Sequence, residues 1–138
     1  MSEPLTLVRD PILRPDESRH FMVLKSLSHE AMAARAGREL ARTRNALRMQ
    51  EVGYDLYDPV VYFPRADVDM TALRPSGKTT RCPLKGDNVY FDLVLPDGVI
   101  EDAAWSFEEV CDFDPRVEQL RGRIAFDTSK IQITELTV

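Results

Sequence analysis

The residues best suited to chemistry form one short stretch, Thr79-Thr80-Arg81-Cys82-Pro83-Leu84-Lys85-Gly86. It contains two hydroxyls, two cations and a thiol, together with a Pro and a Gly that restrict the backbone conformation. Strand-like sequence lies on both sides of it. We therefore expect a β-sheet scaffold that holds this stretch at a binding or catalytic site.

Basic and hydroxyl side chains in and near this stretch could bind an anion. Lys85 would supply a point charge, and Arg65, which follows a strand-like run and Pro64, would supply a two-pronged donor. Thr79 and Thr80 would add hydroxyl donors, although a turn or strand is an equally ordinary place for them. The alternative for the two cations is a salt bridge to one of four carboxylates: Asp67, Asp87, Glu101 and Asp102. Anion binding requires that Arg65 and Lys85 lie at the rim of one hollow.

Aromatic residues on predicted strands could form the wall of such a hollow. Tyr62, Tyr90 and Trp105 combine a flat apolar face with a polar tip, which suits a planar ligand. Packing in the core is the more frequent use of aromatic residues on strands. Asp102 could act as a general base if it were desolvated, whereas a paired surface carboxylate is the commoner role.

Thiol or redox chemistry at Cys82 is a second hypothesis. Arg81 and Lys85 lie near this residue, and neighbouring cations favour the reactive thiolate. The alternative is a small buried hydrophobe, as free cysteines commonly are. Cys82 and Cys111 are the only cysteines, which is too few for a disulfide framework or a four-ligand zinc site. The sequence therefore predicts no metal site and no cofactor.

Composition excludes several classes of protein. A chain of 138 residues fits one domain, and a net charge of -5 with a pI near 5.0 disfavours a nucleic-acid binder. No apolar run approaches 18 residues, so no membrane partner is expected, and the first residues lack the pattern of a signal peptide. We expect a cytoplasmic protein with reduced thiols.

The N-terminal residues motivate a third hypothesis. Residues 1–19 carry three prolines among charges and are predicted to form an extended arm, which leaves residues 20–138 as a single β domain. The apolar run 20–27 follows directly. Together they suggest a non-enzymatic interaction module, in which the arm or an exposed sheet edge docks a partner or a second copy of the chain.

Two segments have clear local patterns, and a third does not. Residues 88–95 alternate, with Val89, Phe91, Leu93 and Leu95 on one face, and Pro96-Asp97-Gly98 predicts a hairpin turn into a return strand that ends near Trp105. A short helix is predicted over residues 114–121, with Asp114 as cap and Pro115 at the first helical position. Residues 30–50 fit either a helix broken at Gly37 or a hairpin that turns there.

Three segments carry a family resemblance: VYFPRADVDM (61–70), TTRCPLKGDNVYF (79–91) and EDAAWSF (101–107). In them the chain resembles the DUF427 family of small bacterial and fungal domains, often labelled nucleotidyltransferase-like. The resemblance implies a mainly β fold of antiparallel sheets, of the Mss4-like or β-tent type, and it favours the hairpin in residues 30–50. Family members commonly have His where this chain has Arg81, so a Cys–His pair is not available from that position.

The leading hypothesis is a small-molecule-binding domain, and its ligand is anionic or nucleotide-like. Arg65, Thr79, Thr80 and Lys85 would hold the anion, and the three aromatic residues would form the wall. Cysteine chemistry and a protein-interaction module, including a homodimer, are the alternatives.

Overall fold

Short apolar segments separated by tight turns fold the chain into antiparallel sheets. The computed structural model describes residues 10–136 and shows eleven strands with no helix of seven residues or more. The predicted mainly β fold is confirmed. The strands are β1 Ile12–Arg14, β2 Glu17–Ser26, β3 Glu30–Arg35, β4 Arg38–Thr43, β5 Leu47–Val52, β6 Val60–Tyr62, β7 Leu73–Cys82, β8 Gly86–Leu95, β9 Gly98–Val110, β10 Ala125–Phe126 and β11 Gln132–Leu136.

The strands form three sheets. The β2/β5 sheet has the order β1-β2-β5-β6, the β3/β4 sheet has the order β11-β3-β4, and the β8/β9 sheet has the order β10-β9-β8-β7. The pairings between consecutive members of these sheets are antiparallel. Three short 3-10 helices, Arg65–Asp67, Met70–Ala72 and Pro115–Leu120, connect the strands. Within residues 10–136, no helix is long and apolar enough to cross a membrane.

The hairpin interpretation of residues 30–50 is correct, and the helix interpretation is wrong. Strands β3 and β4 pair through a turn in which Ala36 (φ 48°) and Gly37 (φ 81°) both have positive φ. Two consecutive residues of this kind characterise the tight turn that suits the twist of paired strands. Ala31 and Ala33 are fully buried, and this period of two shows that tertiary packing has overridden the helical propensity of alanine.

The alternation predicted in residues 88–95 is confirmed. Phe91 and Leu93 are buried in the larger core cluster, and Val89 and Leu95 pack against it. The hairpin turn at residues 96–97 is also present, but β9 continues to Val110, beyond the predicted end. The predicted helix over 114–121 is a 3-10 helix, Pro115–Leu120, with the Asp114 carboxylate accepting a hydrogen bond from the Arg116 N–H.

The predicted N-terminal arm is only partly within the described residues. Residues 1–9 lie outside them. From Ile12 onward the chain is a paired hairpin of β1 and β2, and Ile12 is buried in the smaller core cluster. The boundary placed at residue 20 therefore falls inside β2, which begins at Glu17.

Gly86 is the last residue of the stretch that begins at Thr79, and its backbone lies close to the backbone of β9. Its φ is +135°, and a Cβ built there would lie 2.7 Å from Cα of Val110 and still closer to the Glu109 carbonyl oxygen. Only glycine fits this conformation and this spacing. The approach of Gly86 to β9 fixes the position of the preceding residue, Lys85.

We expect Gly86→Ala to lower the free energy of unfolding by about 3 kcal/mol or more, because backbone strain and overpacking add. Chemical denaturation measures this loss. Gly37→Ala is the control: Gly37 also has positive φ but has open space around it, so it should lose only about 1–2 kcal/mol. Equal losses in the two variants would show that the contact with β9 is not restrictive.

Candidate functional site

A cavity of about 1050 Å³ opens between the β2/β5 sheet and the β8/β9 sheet. Its wall is aromatic, and its floor contains a group of polar and charged side chains. Several lining residues are far from one another in sequence and come together only in the folded chain. The aromatic residues are Tyr54, Tyr57, Tyr62, Tyr90, Trp105 and Phe107, the polar residues of the floor are His20, Glu51, Lys85 and Asn88, and the charged residues Arg14, Asp16, Glu17 and Arg19 also line the cavity.

The wall is ordered by contacts between its own aromatic side chains. Trp105 and Phe107 lie two residues apart on β9 and so share one face of the sheet. The Trp105 indole Nε1–H donates to the Tyr62 hydroxyl at 3.3 Å, and the Tyr90 and Trp105 ring centroids are 6.4 Å apart. Burial raises the pKa of Tyr62, so this hydroxyl stays neutral. The wall therefore offers flat aromatic faces to the cavity.

The floor is organised by the carboxylate of Glu51. The Lys85 Nζ donates to Glu51 Oε1 at 2.7 Å, and His20 Nε2 lies 2.7 Å from Glu51 Oε2. Met22 lies directly opposite Glu51 in the pairing of β2 with β5, so His20, two residues earlier on the same face, reaches the carboxylate diagonally. One carboxylate thus connects a side chain of its own sheet with one from the turn before β8.

The main chain around Lys85 holds its side chain in place. The Lys85 N–H donates to the Cys82 carbonyl at 3.2 Å, and the Lys85 carbonyl accepts from the Cys111 N–H at 3.0 Å. The side chain is only 12% exposed, and its ammonium lies 5.3 Å from the Phe107 ring centroid. The cation is therefore positioned by backbone bonds on both sides and by an aromatic face.

Both members of the ion pair stay charged. Burial by itself would raise the pKa of Glu51, but the charge and hydrogen bond of Lys85 outweigh burial, and the pKa is lowered. Burial would likewise lower the pKa of Lys85, but the negative charges of Tyr62, once that hydroxyl ionises at high pH, and of Glu51 outweigh burial, and the pKa is raised. A buried cation and a buried carboxylate that stabilise each other are typical of functional sites.

Two polar groups of the floor have unused hydrogen-bonding capacity. Among residues 10–136, Glu51 is the one hydrogen-bond acceptor of the Lys85 ammonium, which carries three N–H donors. Asn88 is buried, and its Oδ1 has no hydrogen-bond partner among these residues. Native proteins rarely leave such groups unpaired. An acceptor on a ligand in the cavity would use the free donors of Lys85, whereas the Asn88 oxygen is itself an acceptor and would need a donor.

Cys82 lies beside the floor and does not line the cavity. It is half-buried, and its Sγ lies in a cluster with one ligand atom each from His20 and Glu51, all within 4.8 Å of one another. Cys111 is adjacent but is not part of this cluster: its Sγ lies 3.8 Å from the Cys82 carbonyl oxygen, and burial raises its pKa.

The structure brings together some of the sequence-predicted residues. Lys85, Tyr62, Tyr90 and Trp105 line the cavity. The Thr80 hydroxyl is 3.1 Å from the Tyr90 hydroxyl, at the edge of the wall. Thr79 lies on β7 and does not line the cavity. Asp102, at a bulge of β9 with φ 49°, donates its backbone N–H to the Asp92 carboxylate and is also outside it.

Arg65 and Lys85 do not lie at one hollow, which corrects the geometric expectation from the sequence. The Arg65 guanidinium donates to the Gly122 carbonyl at 2.9 Å and to the Glu108 carboxylate at 2.6 Å. It also lies 5.8 Å from the ring centroid of Phe91, which belongs to the larger core cluster rather than to the cavity wall. Its alternative role, a salt bridge, is the one observed, although Glu108 was not among the expected partners.

His20, Glu51 and Asn88 were missed as site residues by sequence reasoning. His20 lies far from Cys82 in sequence, and the pairing of β2 with β5 brings it to the cavity. Glu51 continues the buried face of β5 after Leu47 and Met49, and a carboxylate at such a position was the available signal. Asn88 begins the apolar run of β8, where a buried polar residue next to a strand-opening turn was the available indication.

The fold and the cavity define the class of protein: an antiparallel β domain with an aromatic cavity and a charged floor. A profile of the family described as "Domain of unknown function (DUF427)" matches residues 24–137. The chain belongs to this family, as its motifs indicated. Comparison with curated proteins finds no match. Glu51, Cys82, Lys85 and Asn88 lie within the matched residues, whereas His20 precedes them.

We expect a double-mutant cycle of Lys85→Met and Glu51→Gln to show strong coupling. Lys85→Met alone should cost about 3 kcal/mol of unfolding free energy, because it leaves a buried carboxylate without its ammonium. The coupling free energy should be about 1–3 kcal/mol at neutral pH. Since the pKa of Glu51 is lowered in the folded protein, this stabilisation should be lost as the pH falls below the ordinary carboxylate range and Glu51 protonates.

The matched control is the exposed pair Arg81–Asp87, in which both side chains are more than half exposed. A cycle of Arg81→Met and Asp87→Asn should give a coupling of about 0.5 kcal/mol or less. Equal coupling in the two cycles would contradict a special role for the Lys85–Glu51 pair.

Proposed function

We propose that this domain binds a small organic molecule in the cavity between the β2/β5 and β8/β9 sheets, and that the molecule directs an anionic group to Lys85. The observation that carries the proposal is the state of the Lys85 ammonium. It is nearly buried at the floor of an aromatic cavity, and it uses only one of its donors on Glu51. An anionic acceptor on a ligand would occupy the others.

The size of the cavity supports a small-molecule ligand. Sites for cofactors and metabolites are concave, mostly apolar, and commonly enclose about 300–1,000 Å³ with a few well-placed polar groups. The cavity of about 1050 Å³ lies at the upper end of this range, and its lining combines aromatic faces with polar and charged side chains. It is large enough for a ring system with a charged substituent.

The aromatic wall supports a planar ligand. Tyr90 and Trp105 present their rings to the cavity, and the bond from Trp105 to Tyr62 fixes the orientation of the indole. A flat ring would stack on these faces while its substituent reaches the floor. Asn88, also on the floor, would add an amide contact. The ligand class is therefore a planar ring that bears a carboxylate or phosphate, which includes nucleotides.

The proposal differs from the sequence hypothesis in its residues. The anion site consists of Lys85 with Asn88 nearby, and it does not include Arg65, Thr79 or Asp102. Thr80 has an indirect role, because its hydroxyl contacts the Tyr90 hydroxyl and so helps to orient that ring.

A ligand panel tests the proposal. Planar carboxylates, phosphate esters and nucleotides are compared with their uncharged amide or nucleoside counterparts by thermal unfolding and by fluorescence of Trp105, the only tryptophan. A ligand at 100 times its Kd should stabilise the fold by about 2.7 kcal/mol and should change the Trp105 emission. The uncharged counterparts should give a smaller shift.

Variants assign the effect to the cavity. Lys85→Met should weaken binding of the charged ligand at least tenfold, whereas Lys25→Met, which removes an exposed lysine on β2 outside the cavity, should leave it unchanged. The proposal fails if no charged member of the panel raises the unfolding temperature, or if Lys85→Met binds as tightly as the parent.

A further inference from the structure

Three side chains with metal-binding donors meet at the floor of the cavity. They are His20 on β2, Glu51 on β5 and Cys82 at the end of β7, and one ligand atom from each lies within 4.8 Å of the others. They come from two sheets and from positions far apart in sequence. A count of the cysteines in the sequence therefore does not indicate this cluster.

The spacing is close to what a tetrahedral metal ion needs. With bonds of about 2.0–2.3 Å, the ligand atoms of such an ion lie roughly 3.3–3.7 Å apart. His20 Nε2 and Glu51 Oε2, at 2.7 Å, are closer than this because a hydrogen now lies between them. An ion that replaced this hydrogen would move the pair slightly apart, and a rotation of Cys82 would complete the approach.

The charges and the surroundings also suit a divalent ion. The Glu51 carboxylate and a Cys82 thiolate would together balance a charge of 2+, with His20 as a neutral ligand. The Lys85 ammonium binds Oε1 of Glu51 and so leaves the other oxygen, the one that faces His20, for the ion. Such an outer hydrogen bond to a ligating carboxylate is a usual way to orient it.

We propose that His20, Glu51 and Cys82 bind one divalent ion of the zinc class. A set of one nitrogen, one oxygen and one sulfur donor favours Zn²⁺ or Co²⁺ over Mg²⁺ or Ca²⁺, which take oxygen ligands. Three protein ligands leave the fourth position of the ion open, as in catalytic rather than structural zinc sites. Because His20 and Glu51 line the cavity, that position would face it. This inference does not depend on the anionic ligand proposed above.

Titration with Co²⁺ tests the site, because this ion reports its own ligands in the absorption spectrum. Full-length protein, first treated with a chelator, should take up one Co²⁺ per chain. It should show a thiolate-to-metal charge-transfer band and the intense visible bands of four-coordinate Co²⁺. Zn²⁺ should displace the Co²⁺, and Mg²⁺ in excess should not.

Single variants identify the ligands. Cys82→Ser should abolish the charge-transfer band, and His20→Asn and Glu51→Gln should each weaken Co²⁺ binding at least tenfold. Cys111→Ser is the matched control, because it removes the neighbouring thiol that lies outside the cluster, and it should bind Co²⁺ like the parent. The site is refuted if the parent shows no thiolate band, or if Cys111→Ser loses the band and Cys82→Ser keeps it.

A measurement on the parent protein covers the case in which a variant does not fold. Alkylation of each cysteine is followed by peptide mass with and without Zn²⁺. Zn²⁺ should slow the labelling of Cys82 at least tenfold and leave Cys111 within twofold of its rate without metal. An unchanged rate at Cys82 in saturating Zn²⁺ would overturn the proposal.

Discussion

The ion pair between Lys85 and Glu51 is the interaction on which the site depends. It joins the turn before β8 to the end of β5, and so it connects the two sheets at the floor of the cavity. Taking two charges out of water is costly, and a pair like this is retained only where its geometry is good and further hydrogen bonds support it. Here His20 holds the second carboxylate oxygen, and the backbone of Lys85 is bonded on both sides. These bonds hold the polar side chains of the floor in place.

The two faces of β9 pack against different parts of the molecule. Trp105 and Phe107 point to the cavity and to the smaller core cluster, whereas Ala104, on the other face, belongs to the larger core cluster. Arg65 lies on the side of the larger cluster, next to Phe91, and Lys85 lies on the side of the cavity. The β8/β9 sheet thus separates the two cations that the sequence had suggested as a pair.

Some elements could be predicted from the sequence because their signals come from neighbouring residues. The period of two in β8 and the turn at Pro96-Asp97 follow from residues next to one another, and both are present. Residues 30–50 could not be decided in this way, because Ala and Arg favour a helix while the burial of Ala31 and Ala33 depends on a sheet that lies elsewhere in the chain. The short helix after Asp114 was located from its cap, but its 3-10 form was not evident.

The site was partly predictable for a similar reason. Lys85 and Cys82 were found because they are close in sequence and share a motif, and the aromatic residues were found because they lie on neighbouring predicted strands. His20 and Glu51 come together through the register of β2 against β5, which no local pattern specifies. Without that register, the partner of Lys85 could not be identified from the sequence. The Mss4-like or β-tent assignment stays a prediction.

The central claim is that Lys85 is a charged group held at the floor of the cavity by Glu51. NMR titration of the lysine side-chain ¹³Cε and ¹⁵Nζ resonances in metal-free protein tests it most directly. Lys85 should titrate above the ordinary lysine range, because its neighbours outweigh burial. It should titrate lower in Glu51→Gln, where burial is less opposed. A Lys85 resonance that titrates below the ordinary range in the parent, or identically in both proteins, would contradict the account.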